Sequence, residues 1–195
     1  KNKEGYQNLI KLASVAYTEG MYYVPRIDKE IVNEFREHLI VLSGGIQGEI
    51  SNLLLNVGEK QAEEALTWWK NVFKDDFYIE LTRHGLEVEA RLNPSLVRLA
   101  NKYDVKLIAT NNSFYVEKDD SIAHDVLLCV KDNQLYETPK GRGRGFRYGL
   151  ENDEYYIKSS DQMKTLFQDI PQALLNTEEI VKKCDPYPLA RDVLL

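Results

Sequence analysis

Three short apolar runs, each broken by a polar or glycine-rich cluster, constrain this chain's fold more than any other feature. Ile40-Val41-Leu42 runs into Ser43-Gly44-Gly45, and Phe77-Tyr78-Ile79-Glu80-Leu81 into Thr82-Arg83-His84-Gly85. Leu107-Ile108-Ala109 breaks into Thr110-Asn111-Asn112-Ser113 before an aromatic pair and Val116. Runs this short and this apolar suit buried strands. Between the first two, Glu59 to Phe73 places apolar residues at 62, 65, 66, 69 and 73. That spacing predicts an amphipathic helix with Trp69 on its buried face. A second helix is expected from Pro94 to Tyr103, with Asn93 as its cap. Strand, helix, strand, helix, strand is the pattern of an α/β protein with a parallel sheet and helical crossovers. Open sheets and barrels of this kind place function at the carboxyl ends of their strands.

The flanks extend the same reading. A first helix is expected from Gly5 to Thr18, with Leu9, Leu12, Ala13 and Ala16 on one face and Gly20 ending it. After the third strand a helix runs from Asp120 to Val130, carrying Cys129 among apolar neighbours where a thiol is buried and inert. Residues 131–160, rich in Gly, Tyr and charge, read as an extended excursion. Closing helices follow at about 160–168 and 171–183, the second with Leu174, Thr177, Val181 and Cys184 in register. Three strands are too few to close a barrel. With no initiator Met and an apolar end at Leu189 to Leu195, the chain is expected to be an excised piece of a longer protein.

Composition narrows the function classes. A chain of 195 residues supports one substantial core. Only Cys129 and Cys184 occur, in no paired or metal-like spacing, which favours a reducing cytoplasm over a disulfide framework. No apolar run approaches the roughly 18 residues of a membrane span. A net charge of −6 argues against a surface that grips nucleic acid all over, leaving room only for a local patch.

Five segments in order resemble the PHP (polymerase and histidinol phosphatase) domain of the bacterial DNA polymerase III alpha subunit. They are Lys1 to Leu9, Leu42 to Glu49, Glu80 to Gly85, Ala123-His124-Asp125, and Asn176 to Ile180. The stretch 107–116 is also similar to that family's strand ending in Thr-Asn-Asp-x-His-Tyr. The resemblance implies the C-terminal part of a PHP-type (β/α) barrel, its N-terminal strands absent from this chain and residues 160–184 leading toward a polymerase palm. It also implies that Gly45, Asn112 and Phe114 stand where metal-keeping relatives have a cysteine, an aspartate and a histidine. A glycine offers no side-chain donor, a neutral amide replaces a carboxylate poorly, and a phenyl ring donates no lone pair. No metal and no catalytic residue is therefore expected in the chain itself. The parent would be a DNA-directed DNA polymerase holding Mg²⁺ on palm carboxylates outside this segment and reaching DNA through that larger protein. The implied partners are the proofreading exonuclease subunit and other subunits of the holoenzyme. The alternative is a metal-dependent PHP phosphoesterase or exonuclease with its main ligands in a missing N-terminal part.

Glu49, His84, Thr110, Asn111 and His124 are candidates for the lining of the old cleft. Three of them have a plainer reading. His84 and His124 can be imidazoles bonded to backbone or carboxylate, and Glu49 can favour the dipole of a helix's first turn. With Phe114 in place of a ligand, its ring is expected to fill the former site and be mostly buried. Finally, Lys140-Gly141-Arg142-Gly143-Arg144-Gly145-Phe146-Arg147-Tyr148 holds four cations and no acid through residue 147. Lys140, Arg142, Arg144 and Arg147 are candidates for nucleic-acid phosphates, with Phe146 or Tyr148 stacking. The plainer reading is a solvated loop, or one docked on Glu151-Asn152-Asp153-Glu154. The spacing is not that of a P-loop.

Overall fold

A computed structural model describes residues 1–189. Helix α1 (Lys3–Thr18) is capped by Asn2, whose Oδ1 accepts the Gly5 N–H at 3.0 Å. Gly5 is required there, because a side chain would collide with the His38 carbonyl. A small hairpin, β1 (Met21–Tyr22) and β2 (Val24–Pro25), leads through α2 (Lys29–Glu34) into the sheet. Strand β3 (Val41–Leu42) is followed by α3 (Glu49–Asn56) and α4 (Glu59–Phe73). Strand β4 (Phe77–Leu81) leads to α5 (Glu87–Tyr103), and β5 (Lys106–Ala109) to α6 (Ser121–Asp132). After the excursion come α7 (Ser160–Leu166) and α8 (Pro171–Lys183).

The three strands form a parallel sheet in the order β3-β4-β5, pairing Val41 with Phe77 and Tyr78 with Lys106. This is the expected parallel α/β architecture. Strand β4 is central, and Phe77, Tyr78, Ile79 and Leu81 are buried beneath helices on both faces, so its sequence reads as nearly continuous apolar. Helices α3, α4 and α5 supply Ile50, Leu66, Leu96 and Leu99 to the core.

Helix α8 locks the β5 edge. The Asn176 side chain donates to the Leu107 carbonyl at 2.7 Å, and Glu179 accepts from the Tyr78 hydroxyl and Lys106, both at 2.7 Å. Lys106 foremost, then Tyr78, hold the Glu179 carboxyl down at about 2. Among the described residues no helix is long and apolar enough to cross a membrane.

Several expectations need correction. Helix α5 begins at Glu87, not Pro94. Asn93 is no cap but a buried mid-helix residue, donating from Nδ2 to the Thr82 carbonyl at 3.0 Å. Pro94 costs the helix one backbone hydrogen bond, and packing of Leu92 and Leu96 into the core holds the helix together across it. Of the α1 residues expected on the buried face, Leu12 and Ala16 are buried, while Leu9 and Ala13 face outward. Trp69 is half-buried, since its indole reaches out to the Glu49 carboxylate at 2.7 Å. On α8 the buried positions are Ala173 and Asn176, and Val181 is exposed. Cys129 is buried, yet its neighbours Val126, Leu127 and Val130 are exposed.

Candidate functional site

At the carboxyl ends of β3, β4 and β5 lies a cleft of about 560 Å³. The polar cluster after each strand opens into it, and all three suspected ligand positions, Gly45, Asn112 and Phe114, line it. Thr110, Asn111 and His84 line it as well. The sheet therefore gathers residues that the sequence spreads over seventy positions.

The floor is a closed hydrogen-bonded set built on Glu89, which projects from the first turn of α5 and is only 3% exposed. Its carboxylate accepts the Thr82 hydroxyl at 2.9 Å, the His84 N–H at 2.5 Å and the His84 ring Nδ1 at 2.8 Å. The other ring nitrogen, Nε2, faces the Asn112 carbonyl at 3.2 Å. Burial pushes the Glu89 pKa up, but the donors from His84 and Thr82 outweigh it and hold the carboxyl below its ordinary range. The backbone-or-carboxylate reading of His84 thus describes both of its nitrogens. Glu89 was absent from the sequence candidates. The acid two residues inside a helix, just after a strand-end histidine, was the signal for it.

The roof comes from the excursion. Tyr155 stacks on His84 with ring centroids 4.4 Å apart and planes 13° from parallel. Burial, and then the nearby Glu89 charge, push its phenol up to about 12. Asn152 donates to the His84 carbonyl at 2.7 Å, and Asn111 donates to the Tyr156 carbonyl at 2.7 Å. Tyr148 and Leu150 complete the wall. None of these was legible as site-forming, because the excursion has neither helical nor strand periodicity.

Other candidates lie elsewhere. Glu49 is outside the cleft, half-exposed and bound to Lys29 at 2.8 Å and to Trp69. His124 is partly buried on α6, its ring 5.5 Å from those of Phe114 and Tyr115. Phe114 does not fill the cleft. Its ring is 48% exposed, tilted against His124 and Tyr155, because Tyr155 already occupies the space over His84. A ring this exposed adds little burial, so Phe114→Ala should cost about 1 kcal/mol in a denaturant titration. A loss of 3 kcal/mol or more would mean the ring is fully enclosed.

The residues present do not suit a metal ion. Among the described residues no three His, Cys, Asp or Glu side chains come together as a ligand set. In the cleft, His84 and Glu89 are spent on one another, and Glu80 accepts the Thr110 hydroxyl. Position 45, where the resemblance implies a cysteine, still has room, since a Cβ there would rest against Thr82 at an ordinary 3.6 Å.

The basic stretch is also divided by the fold. Arg147 is buried and is not available to phosphates. It donates to both Asp125 oxygens, at 2.8 and 2.9 Å, and to the Thr138 carbonyl at 2.9 Å. Lys140 lies 3.3 Å from the same carboxylate. The loop therefore docks on Asp125 of α6, not on the 151–154 run.

The PHP domain family matches residues 1–84. A protein named DNA polymerase III subunit alpha, from Campylobacter jejuni subsp. jejuni, is 39% identical over 196 residues, covering 95% of this chain and 16% of its own length. That of Borreliella burgdorferi is 40% identical over 189 residues, covering 97% and 16%. That of Treponema pallidum is 40% identical over 186 residues, covering 95% and 15%. Over nearly its whole length the chain is similar to one segment of DNA polymerase III alpha subunits, and its first 84 residues match the PHP domain. It spans about a sixth of the length of these relatives. The PHP match ends at His84, in the cluster after β4, so its last residue lies in the cleft. The similarity to the alpha subunits continues through β5, the excursion and the closing helices.

Proposed function

We propose that this segment is a non-catalytic scaffold within a replicative DNA polymerase, and a docking domain for its proofreading exonuclease subunit. The parent would be a template-directed nucleotidyltransferase, its Mg²⁺ held by palm carboxylates outside this chain, meeting DNA and the other holoenzyme subunits through the larger protein. The observation that carries the reading is the cleft. Positions 45, 112 and 114 converge there with no carboxylate, thiolate or imidazole among them, and the acid and histidine beside them form a closed pair. A site so arranged keeps the architecture of a strand-end active centre and has turned its polar groups to holding the fold. The phosphoesterase reading would need those donors to be open.

Hydrogen exchange of the full-length protein, alone and with the proofreading exonuclease subunit, tests the docking role. Slowed exchange on the surface of residues 1–189 is the expected result. A complex that forms with exchange unchanged throughout this segment would place the exonuclease elsewhere. Mg²⁺-dependent templated nucleotide incorporation by the same protein checks the parent activity.

A further inference from the structure

We propose that Arg142 and Arg144, at the tip of the hairpin-like loop 136–150, contact the phosphates of single-stranded nucleic acid, with Phe146 and Tyr148 offering faces to its bases. The choice of nucleic acid rests on the polymerase reading above. The division of labour within the loop does not.

The root of the loop is fixed. Arg147 is clamped on Asp125 and also reaches the Tyr136 carbonyl at 3.1 Å. Gly141 and Arg147 are bonded across the loop at 3.0 Å, and Arg147 N–H donates to the Pro139 carbonyl at 3.0 Å. Phe146 lies against Gly141 so closely that a side chain at 141 would run into its ring. Above this root, Gly143 and Gly145 take φ of 91° and 88°, and each has open space around it. Only glycine adopts such angles without strain, and here they turn the chain sharply at a projecting tip.

The tip's cations have no internal partner. Arg142 and Arg144 are exposed and make no hydrogen bond or ion pair among the described residues. Arg83, Arg98 and Arg147 each hold a carboxylate. Three of the nearby acids are engaged elsewhere, while Glu137 and Glu151 are exposed and bond to neither arginine among the described residues. Glu154 pairs with Lys118 at 2.6 Å and with Lys158 at 3.3 Å, and Asp153 with Lys118 at 3.3 Å. Asp125 is taken by Arg147 and Lys140.

The ligand class follows from what stands beside the guanidinium groups. A free phosphate needs an enclosing cradle, and this tip is open. An acidic peptide would use the arginines but not the two aromatic rings, Phe146 and Tyr148, exposed at 50% and 56%. Cations tracking a backbone with aromatic faces alongside are what a single strand requires. On a chain of net charge −6 the contact must be local and strongly salt-dependent.

The test uses the full-length protein and two DNAs, a primer–template with a long single-stranded overhang and a blunt duplex, titrated by anisotropy over a range of salt. In the Arg142→Ala/Arg144→Ala variant, affinity for the overhang substrate should fall several-fold. The log–log salt slope should become shallower by about 1.4, roughly 0.7 for each single-strand phosphate released. Binding to blunt duplex should not change. Wild-type affinity and slope on the overhang substrate would overturn the proposal. So would an equal loss on both DNAs, which would assign the tip to duplex, or intact DNA binding with loss of a protein subunit. A wild-type protein that binds neither DNA would overturn the polymerase reading as well, which separates the two failures.

Discussion

Replacing Glu89 with alanine is expected to destabilise the protein by about 3–5 kcal/mol, the range for removing one partner of a buried charged pair. The carboxylate accepts from a hydroxyl, a backbone N–H and an imidazole in a nearly water-free position. Without it, the His84 backbone N–H and ring Nδ1 lose their acceptor inside the protein, and a cavity opens under the cleft. Denaturant titration should show the loss as a lower midpoint, and Glu89→Gln should lose less because it keeps the volume and one acceptor. The pH dependence has a definite sign. A carboxyl held below its ordinary value of 4.5 adds stability that is fully present above that value. The contribution is lost as pH falls through the depressed native value. Wild type should therefore destabilise below about pH 4.5 more steeply than Glu89→Gln. Parallel pH profiles would show that the two proteins bury equivalent groups and that Glu89 is not the floor of the site.

The second large effect concerns the excursion. Arg147→Ala takes both guanidinium donors from the Asp125 carboxylate, leaving it only Lys140 at 3.3 Å, and leaves the Tyr136 and Thr138 carbonyls without their donor. The loop should open locally, and limited proteolysis should cut within 136–150 on the order of tenfold faster, reflecting a larger open population. An Asp125→Ala/Arg147→Ala double variant should be cut more slowly than Arg147→Ala, because it leaves no buried charge unpaired. Equal cleavage of wild type and Arg147→Ala would mean that the pair does not fasten the loop. Arg142→Ala/Arg144→Ala should leave this protection intact, which keeps the anchoring and the tip experimentally apart.

What the sequence revealed and what it hid divide along one physical line. Strands β3, β4 and β5, helix α4 and the body of α5 were legible because each writes its own pattern into consecutive residues, whereas the short helix α3 was not delimited. The convergence of Gly45, Thr110, Asn112 and His84 followed, because a parallel sheet brings all its strand ends to one side. Interactions made by the aperiodic excursion were not legible. Phe114 was expected to be buried, and nothing near it foretold that Tyr155 would occupy the space over His84. Arg147 looked like its neighbours Arg142 and Arg144, since what distinguishes it is Asp125, on a helix one excursion earlier. The start of α5 was hidden by Pro94, which normally marks a first turn and here sits deep inside the helix.

The sheet also has a consequence for how the chain finds its shape. Every pairing in this three-stranded sheet joins residues far apart in sequence, as with Val41 and Phe77 or Tyr78 and Lys106. The bonds that seal the β5 edge reach further, 69 positions from Asn176 to Leu107 and 101 from Tyr78 to Glu179. No hairpin offers a local start for this sheet, so loop entropy must be spent before the first ladder bond repays it. Strands β4 and β5 with α5 between them close the shortest loop and are the natural nucleus, with β3 added to one side and α8 to the other. Until α8 arrives, the β5 edge stays open to other chains. The closing helix therefore also guards the half-made sheet against aggregation.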